Sequence, residues 1–371
     1  MAEFIGCDDS RGEITNLNTK RLILISLIAL GALALSACSG APVANNWYGL
    51  AADAEHAYVS GGSFVYAVDL QNGKEVWRYP PEADNKLLFY STPVLTADGQ
   101  LLVGSAGTTH SFVSIDPATG RANWVETFGK GTWLASPLVL DETIYAPNTD
   151  GFLYVLDMNG KEAAAPIELG GALWSAPSTD GSRLYVTSLN HQVHIVDIAR
   201  RIVLESINLG GAVPGSPAIG ANGAYVGSFA STVEFVQPNG SHEVIAKAEN
   251  WVWGSPVVDG ETLYYADLNG TIHSLDLASG SQNWDGVKPD GPVVASLLLA
   301  GDQIYAATES GNLVALDREG KVVWEKTLDK AIYTPPVAAG DLILVAPYQA
   351  DITLAAYDVQ GKQAWTFAPE K

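Results

Sequence analysis

The chain has 371 residues, 47% hydrophobic and only 16% charged, against ~25% charged in ordinary soluble proteins. Its 41 acidic residues against 20 basic ones give a formal net charge of −21, which excludes nucleic acids and anionic lipid surfaces as partners, since those are held by Lys and Arg. Apolar content is too high for disorder, and two cysteines build neither a disulfide scaffold nor a four-cysteine zinc site.

The first element is an apolar run over residues 22–35, preceded by Lys20 and Arg21. It is shorter than the roughly 20 residues a membrane-spanning helix needs, and it closes on small residues, the shape of a secretory signal. Leu35-Ser36-Ala37-Cys38 resembles the lipobox of bacterial lipoproteins. That resemblance implies cleavage before Cys38, lipidation of its thiol and amine, and stable anchoring by two or three acyl chains. Ser39, where Asp would favour inner-membrane retention in enteric bacteria, implies export to the outer membrane. Residues 1–16 carry Glu3, Asp8, Asp9 and Glu13, unusual ahead of a signal, and point to translation starting later, at Leu17. The expected organisation is therefore leader and signal at 1–37, a lipidated tether at 38–45 and one folded domain at 46–371. Cys38 is the single cysteine after residue 37, so stability must come from packing.

From residue 46 onward one unit recurs. A small-residue–Pro step is followed by a turn, a short aliphatic or aromatic strand, a second turn, an apolar strand ending in Asp, and then a Gly turn that often leads to Trp. The Asp position is filled by Asp69, Asp116, Asp157, Asp197, Gln237, Asp276, Asp317 and Asp358, at separations of 47, 41, 40, 40, 39, 41 and 41 residues. Each unit holds four strand-length runs, A to D. Four strands in about 40 residues is the signature of a propeller blade. The C runs, such as Phe64-Val65-Tyr66-Ala67-Val68, are apolar without alternation, as expected of sheets covered on both faces. The predicted fold is all-β, an eight-bladed β-propeller with four antiparallel strands per blade. The sequence displays no swapped strand to close the ring, unless residues 40–46 supply one.

The Asp array is read as scaffold, each side chain capping the turn that follows it. The tryptophans of strand D, Trp77, Trp124, Trp284, Trp324 and Trp365, are read as wedges between neighbouring sheets, absent from units three to five. The other five gather before strand A. Three residues ahead of the Pro step the units read Trp47, Tyr90, Leu134, Trp174, Pro214, Trp253, Val294 and Tyr333, with Trp133 and Trp251 nearby. Strand A lines a propeller's central channel, so Trp47, Tyr90, Trp133, Trp174, Trp251, Trp253 and Tyr333 are expected to crowd one channel mouth. Two readings stay open there: packing that plugs the funnel, or a recognition site for sugars, small ligands or extended peptides.

Copies such as Ala67-Val68-Asp69…Gly73-Lys74-Glu75-Val76-Trp77 and Ala315-Leu316-Asp317…Gly320-Lys321-Val322-Val323-Trp324 resemble the repeat of bacterial quinoprotein-type (PQQ-like) propellers. A lipobox followed by eight such units is similar to the BamB family of envelope lipoproteins, part of the outer-membrane β-barrel assembly machinery. The resemblance implies a non-catalytic, monomeric, periplasm-facing scaffold that holds an envelope protein partner or an unfolded client and touches the membrane through its anchor alone. No cofactor, metal site or catalytic residue is expected. Quinone-dependent dehydrogenases on this propeller commonly carry adjacent cysteines over the cofactor, and no cysteine follows Cys38. His191 and His194, three residues apart on a strand, face opposite ways. The alternative class is a glycan or small-ligand receptor using the aromatic mouth.

Overall fold

The computed structural model describes residues 47–370. The leader, the signal, Cys38 and the tether at 38–45 lie outside the described residues, as do residues 40–46 considered above for ring closure.

Eight antiparallel sheets follow one another along the chain, at 49–79, 94–126, 138–168, 178–208, 218–247, 257–287, 298–327 and 337–367. Within each, hydrogen-bonded neighbours are consecutive in sequence, so every blade is a single uninterrupted stretch. Blade 1 shows the plan: strand A Gly49–Ala52, B His56–Gly61, C Phe64–Asp69 and D Glu75–Tyr79, with Leu50 opposite Val59, Val59 opposite Tyr66 and Tyr66 opposite Arg78. Strands B and C are almost wholly buried and the D strands carry the exposed edge. Blade 6 departs from the plan. Its outer run shrinks to two isolated bridges, Leu275 with Gln282 and Ile272 with Val287, because the chain turns away through Asp285-Gly286 towards Pro289.

The Asp at the end of strand C works as a cap. Asp69 Oδ1 accepts the Gln71 and Asn72 amides, Asp157 Oδ1 those of Asn159 and Lys161, and Asp317 and Asp358 each hold a turn amide four residues on. Just upstream, all seven regular C–D pairings carry a register shift, between Ala67 and Val68 in blade 1 and between Ala315 and Leu316 in blade 7, for example. Such a bulge bends the outer strand and re-aims the side chains that follow it. It turns the D-strand indole over the adjacent blade.

Five blade interfaces close in this way. Trp77, Trp124, Trp284, Trp324 and Trp365 each donate an indole N–H to the carbonyl of the residue after the neighbouring blade's Asp, at 2.7, 3.0, 3.1, 2.9 and 2.7 Å. The ring faces lie flat on the turn glycine beyond. A Cβ at Gly73 would sit 2.8 Å from the Trp365 ring, and one at Gly120 2.7 Å from that of Trp77, so only glycine fits beneath them.

Among the described residues the ring closes without a borrowed strand. Blades 8 and 1 share one apolar cluster in which Leu344, Ala356 and Phe367 meet Leu50, Val59 and Tyr66. Trp365 docks on Leu70, while Thr334 Oγ1 donates to Tyr48 O at 2.6 Å and accepts the Tyr48 amide at 3.2 Å. The junction between the ends of the ring is built like the interfaces within it.

Candidate functional site: the channel mouth

The strand A segments run side by side around the axis, stitched by hydroxyls. Ser60 Oγ donates to Ser91 O, Ser136 Oγ to Thr92 O, and Thr187 Oγ1 to Gly215 O at 2.6, 3.0 and 2.9 Å. The Ser216 and Ser255 amides donate to Ser255 and Ser296 Oγ, both at 2.8 Å. Above this tier of small polar residues opens a cavity of about 380 Å³. Its lining takes in every residue of the expected register, the aromatic Trp47, Tyr90, Trp174, Trp253 and Tyr333 together with Leu134, Pro214 and Val294.

Trp47 leans over the opening. Its ring lies 5.9 Å from that of Trp174, three blades away, and 6.5 Å from that of Tyr90. A second group sits opposite, where Tyr348 bridges Tyr48 and Tyr333 at 6.2 and 5.9 Å. Burial raises the pKa of Tyr48, Tyr90 and Tyr333, so all three phenols stay neutral and present their hydroxyls as donors and acceptors.

Two residues from the expected set stand elsewhere. Trp133 is 1% exposed, buried between blades 2 and 3 against Phe112, Phe128 and Tyr154, with its indole N–H on His110 O. It precedes the lining position Leu134 by one residue, and side chains alternate along an extended segment, so it faces the sheet gap. Trp251 lies two residues ahead of Trp253, outside the cavity; it is 46% exposed and stacked on Phe229 at 4.4 Å. Phe229 also approaches Trp253 at 5.0 Å.

Sequence reasoning missed Phe229, Leu268, Tyr348 and Glu309. Glu309 is the one charged residue of the lining, and burial pushes its carboxyl above the usual range. All four hold the same position in the link between strands B and C, where the amide donates to a carbonyl of the preceding link (Phe229 to Ala212, Leu268 to Trp251, Glu309 to Pro292, Tyr348 to Ala331), but the residue type there changes from blade to blade. Carrying the repeat register two or three residues past strand B would have found them.

Among the described residues no three His, Cys, Asp or Glu side chains converge as metal ligands would. His194 is sealed inside blade 4 between Ser188 Oγ (3.1 Å) and Ser206 Oγ (2.8 Å), and burial lowers its pKa to about 4. It is a neutral structural group.

The family model described as "Outer membrane protein assembly factor BamB" matches residues 61–286 and 288–371, most of the chain and nearly the whole ring. The chain belongs to the BamB family. Individual BamB relatives are distant. The outer membrane protein assembly factor BamB of Legionella pneumophila is 26% identical over 193 residues, covering 50% of this chain and 46% of the relative. That of Burkholderia pseudomallei is 27% identical over 113 residues, covering 30% and 29%. The matched stretches thus span less than half of those relatives' own length. Among solved structures, BamB from Moraxella catarrhalis superposes with a TM-score of 0.66 at 14% identity, over 80% of this chain and 90% of that one. The computationally designed Ika8 protein gives 0.72 at 11% identity, over 85% and 97%. These two likenesses establish the fold. The BamB assignment itself rests on the family model, whose span includes all eight of the turns that follow strand C and all five docked tryptophans.

Proposed function

We propose that this chain is a non-catalytic scaffold of the cell envelope that helps assemble outer-membrane proteins, as the names of its relatives describe for them. In this reading Cys38 carries the lipid anchor, the ring faces the periplasm as a monomer, and the partner is an envelope protein of the β-barrel assembly class or an unfolded client. The membership of nearly the whole ring in the BamB family carries the reading. A rigid frame with loops clustered at one mouth suits it, since such frames place their function in loops. Affinity purification from detergent-solubilised membranes tests it. Co-purification of a large β-barrel protein with soluble repeat domains is expected, and recovery of the chain alone from membranes that contain such a barrel sinks the reading.

The cavity favours a second reading, capture of a small ligand or glycan at the mouth. Trp174→Ala and Trp253→Ala separate the two. Loss of barrel co-purification with the fold intact would place the partner at the mouth, whereas unchanged co-purification leaves the mouth free for a separate ligand.

A further inference from the structure

The cavity has an uneven chemistry. Six aromatic side chains line its wall, those of Trp47, Tyr48, Tyr90, Trp174, Trp253 and Tyr333. Its floor is hydroxyls and backbone, and none of its lining residues is Lys, Arg or His. One carboxylate enters it, that of Glu309. Among the described residues Glu309 has no side-chain hydrogen bond and no cationic partner; the ion pairs there involve Glu75, Glu126, Glu234 and four aspartates instead. A half-buried carboxylate without a partner is costly, and burial accordingly raises its pKa with no compensating interaction.

Aromatic faces carry the negative part of the ring quadrupole, and a cation a few ångströms above them gains more when water is excluded. A cluster of such faces around one carboxylate complements a cation with an apolar envelope. It does not complement an anion, which Glu309 repels, and a neutral ligand could offer Glu309 a hydrogen bond but no opposite charge. The field of the whole molecule, at formal charge −21, concentrates cations at every opening. The volume of about 380 Å³ admits one alkylammonium or guanidinium group and not a folded element.

We propose that the channel mouth is a binding site for a single organic cation, held over the tryptophan faces and neutralised by Glu309. The occupant is either a free quaternary or primary amine or the side chain of a Lys or Arg on an extended peptide. Both present the same chemistry to the cage. This deepens the ligand reading of the mouth and does not depend on the assembly role.

Titration of the purified full chain in detergent, followed by tryptophan fluorescence and calorimetry, tests it. The probes are choline, its uncharged isostere 3,3-dimethylbutanol, and a capped Gly-Arg-Gly peptide. Choline or the peptide should bind about tenfold or more tighter than the isostere, since a desolvated cation–aromatic contact contributes on that scale. Whichever of the two binds tighter identifies the source. Glu309→Gln should weaken cation binding about tenfold and leave the isostere unchanged, while Trp174→Phe, which keeps a ring, should lose less than Trp174→Ala. Equal affinity for choline and its isostere overturns the cation site while leaving a ligand pocket standing. Absence of binding by any probe, or Glu309→Gln without effect, overturns it outright. None of these outcomes bears on whether a barrel protein co-purifies.

Discussion

The ring has two unlike sectors. From blade 6 round through blade 1 to blade 3, every interface is closed at its rim by a docked indole on a neighbouring turn. The three interfaces from blade 3 to blade 6 lack it. Glu205 lies over Gly240 where an indole would rest, and Arg201, at φ 57°, holds the turn position that glycine fills elsewhere. Val244 stands at the tryptophan's sequence offset in blade 5 but is 49% exposed, since the bulge there falls earlier, between Val233 and Glu234, and nothing comes within 4 Å of a Cβ at Gly280. The same units carry Trp174, Trp251 and Trp253 on the links that leave blades 3 and 5. In these units indole leaves the rim for the links, Trp174 and Trp253 lining the cavity and Trp251 standing outside it. The sector without docked indoles at its rim thus carries Trp251, the most exposed indole among the described residues.

The largest expected contrast comes from truncation at equivalent positions. Trp77→Ala should cost about 4 kcal/mol, since it empties a site 8% exposed and leaves the Pro117 carbonyl unpaired. Glu205→Ala should cost under about 1 kcal/mol. Equal losses in chemical denaturation would erase the distinction between sectors.

Acid provides the next contrast. The folded pKa of His194, about 4, lies below its unfolded value near 6.5, so the unfolded chain binds the extra proton. Stability is fully retained above about pH 6.5 and falls as pH drops towards 4, by up to about 3 kcal/mol. Hydrogen exchange should show blade 4 opening first over that window, and His194→Gln should flatten the dependence. An exchange pattern that loosens blade 8 first would contradict the sector picture.

Glycine replacement makes a finer cut. Gly73→Ala meets both a positive φ of 71° and the Trp365 ring, and should cost about 2–3 kcal/mol. Gly280→Ala meets only the φ of 70° and should cost about 1 kcal/mol. The smallest effect is a gain. Val244→Trp puts an indole at the docking offset, and if it reaches the open space over Gly280 and the Leu277 carbonyl it should raise stability by about 1 kcal/mol. A loss of stability there would mean that the open sector cannot accept the dock.

Much of this was legible from residue order, because a repeat supplies its own register. The Asp turns set the phase of every blade. All eight positions found by counting three residues back from the Pro step line the cavity, since strand A has one geometry throughout. Trp133 was misplaced because proximity in sequence is not register: one residue along an extended chain exchanges the channel for the sheet gap. Glu309 and Phe229 stayed hidden because their shared position in the B–C link keeps its spacing but changes residue type from blade to blade. The frayed outer strand of blade 6 escaped for the opposite reason, since Trp284 keeps the repeat while the residues after it abandon the strand.

The way the ring closes bears on how such a chain acquires its shape. With each blade a continuous stretch, nearly all pairing joins residues close in sequence, and sheets can form in the order of synthesis. One step differs, the meeting of Thr334 with Tyr48 across 286 residues. Its entropic cost grows only with the logarithm of that span. The seam is chemically ordinary, so the same circle could be opened at another link and rejoined at 370 and 47, moving the long-range step to a different pair of blades.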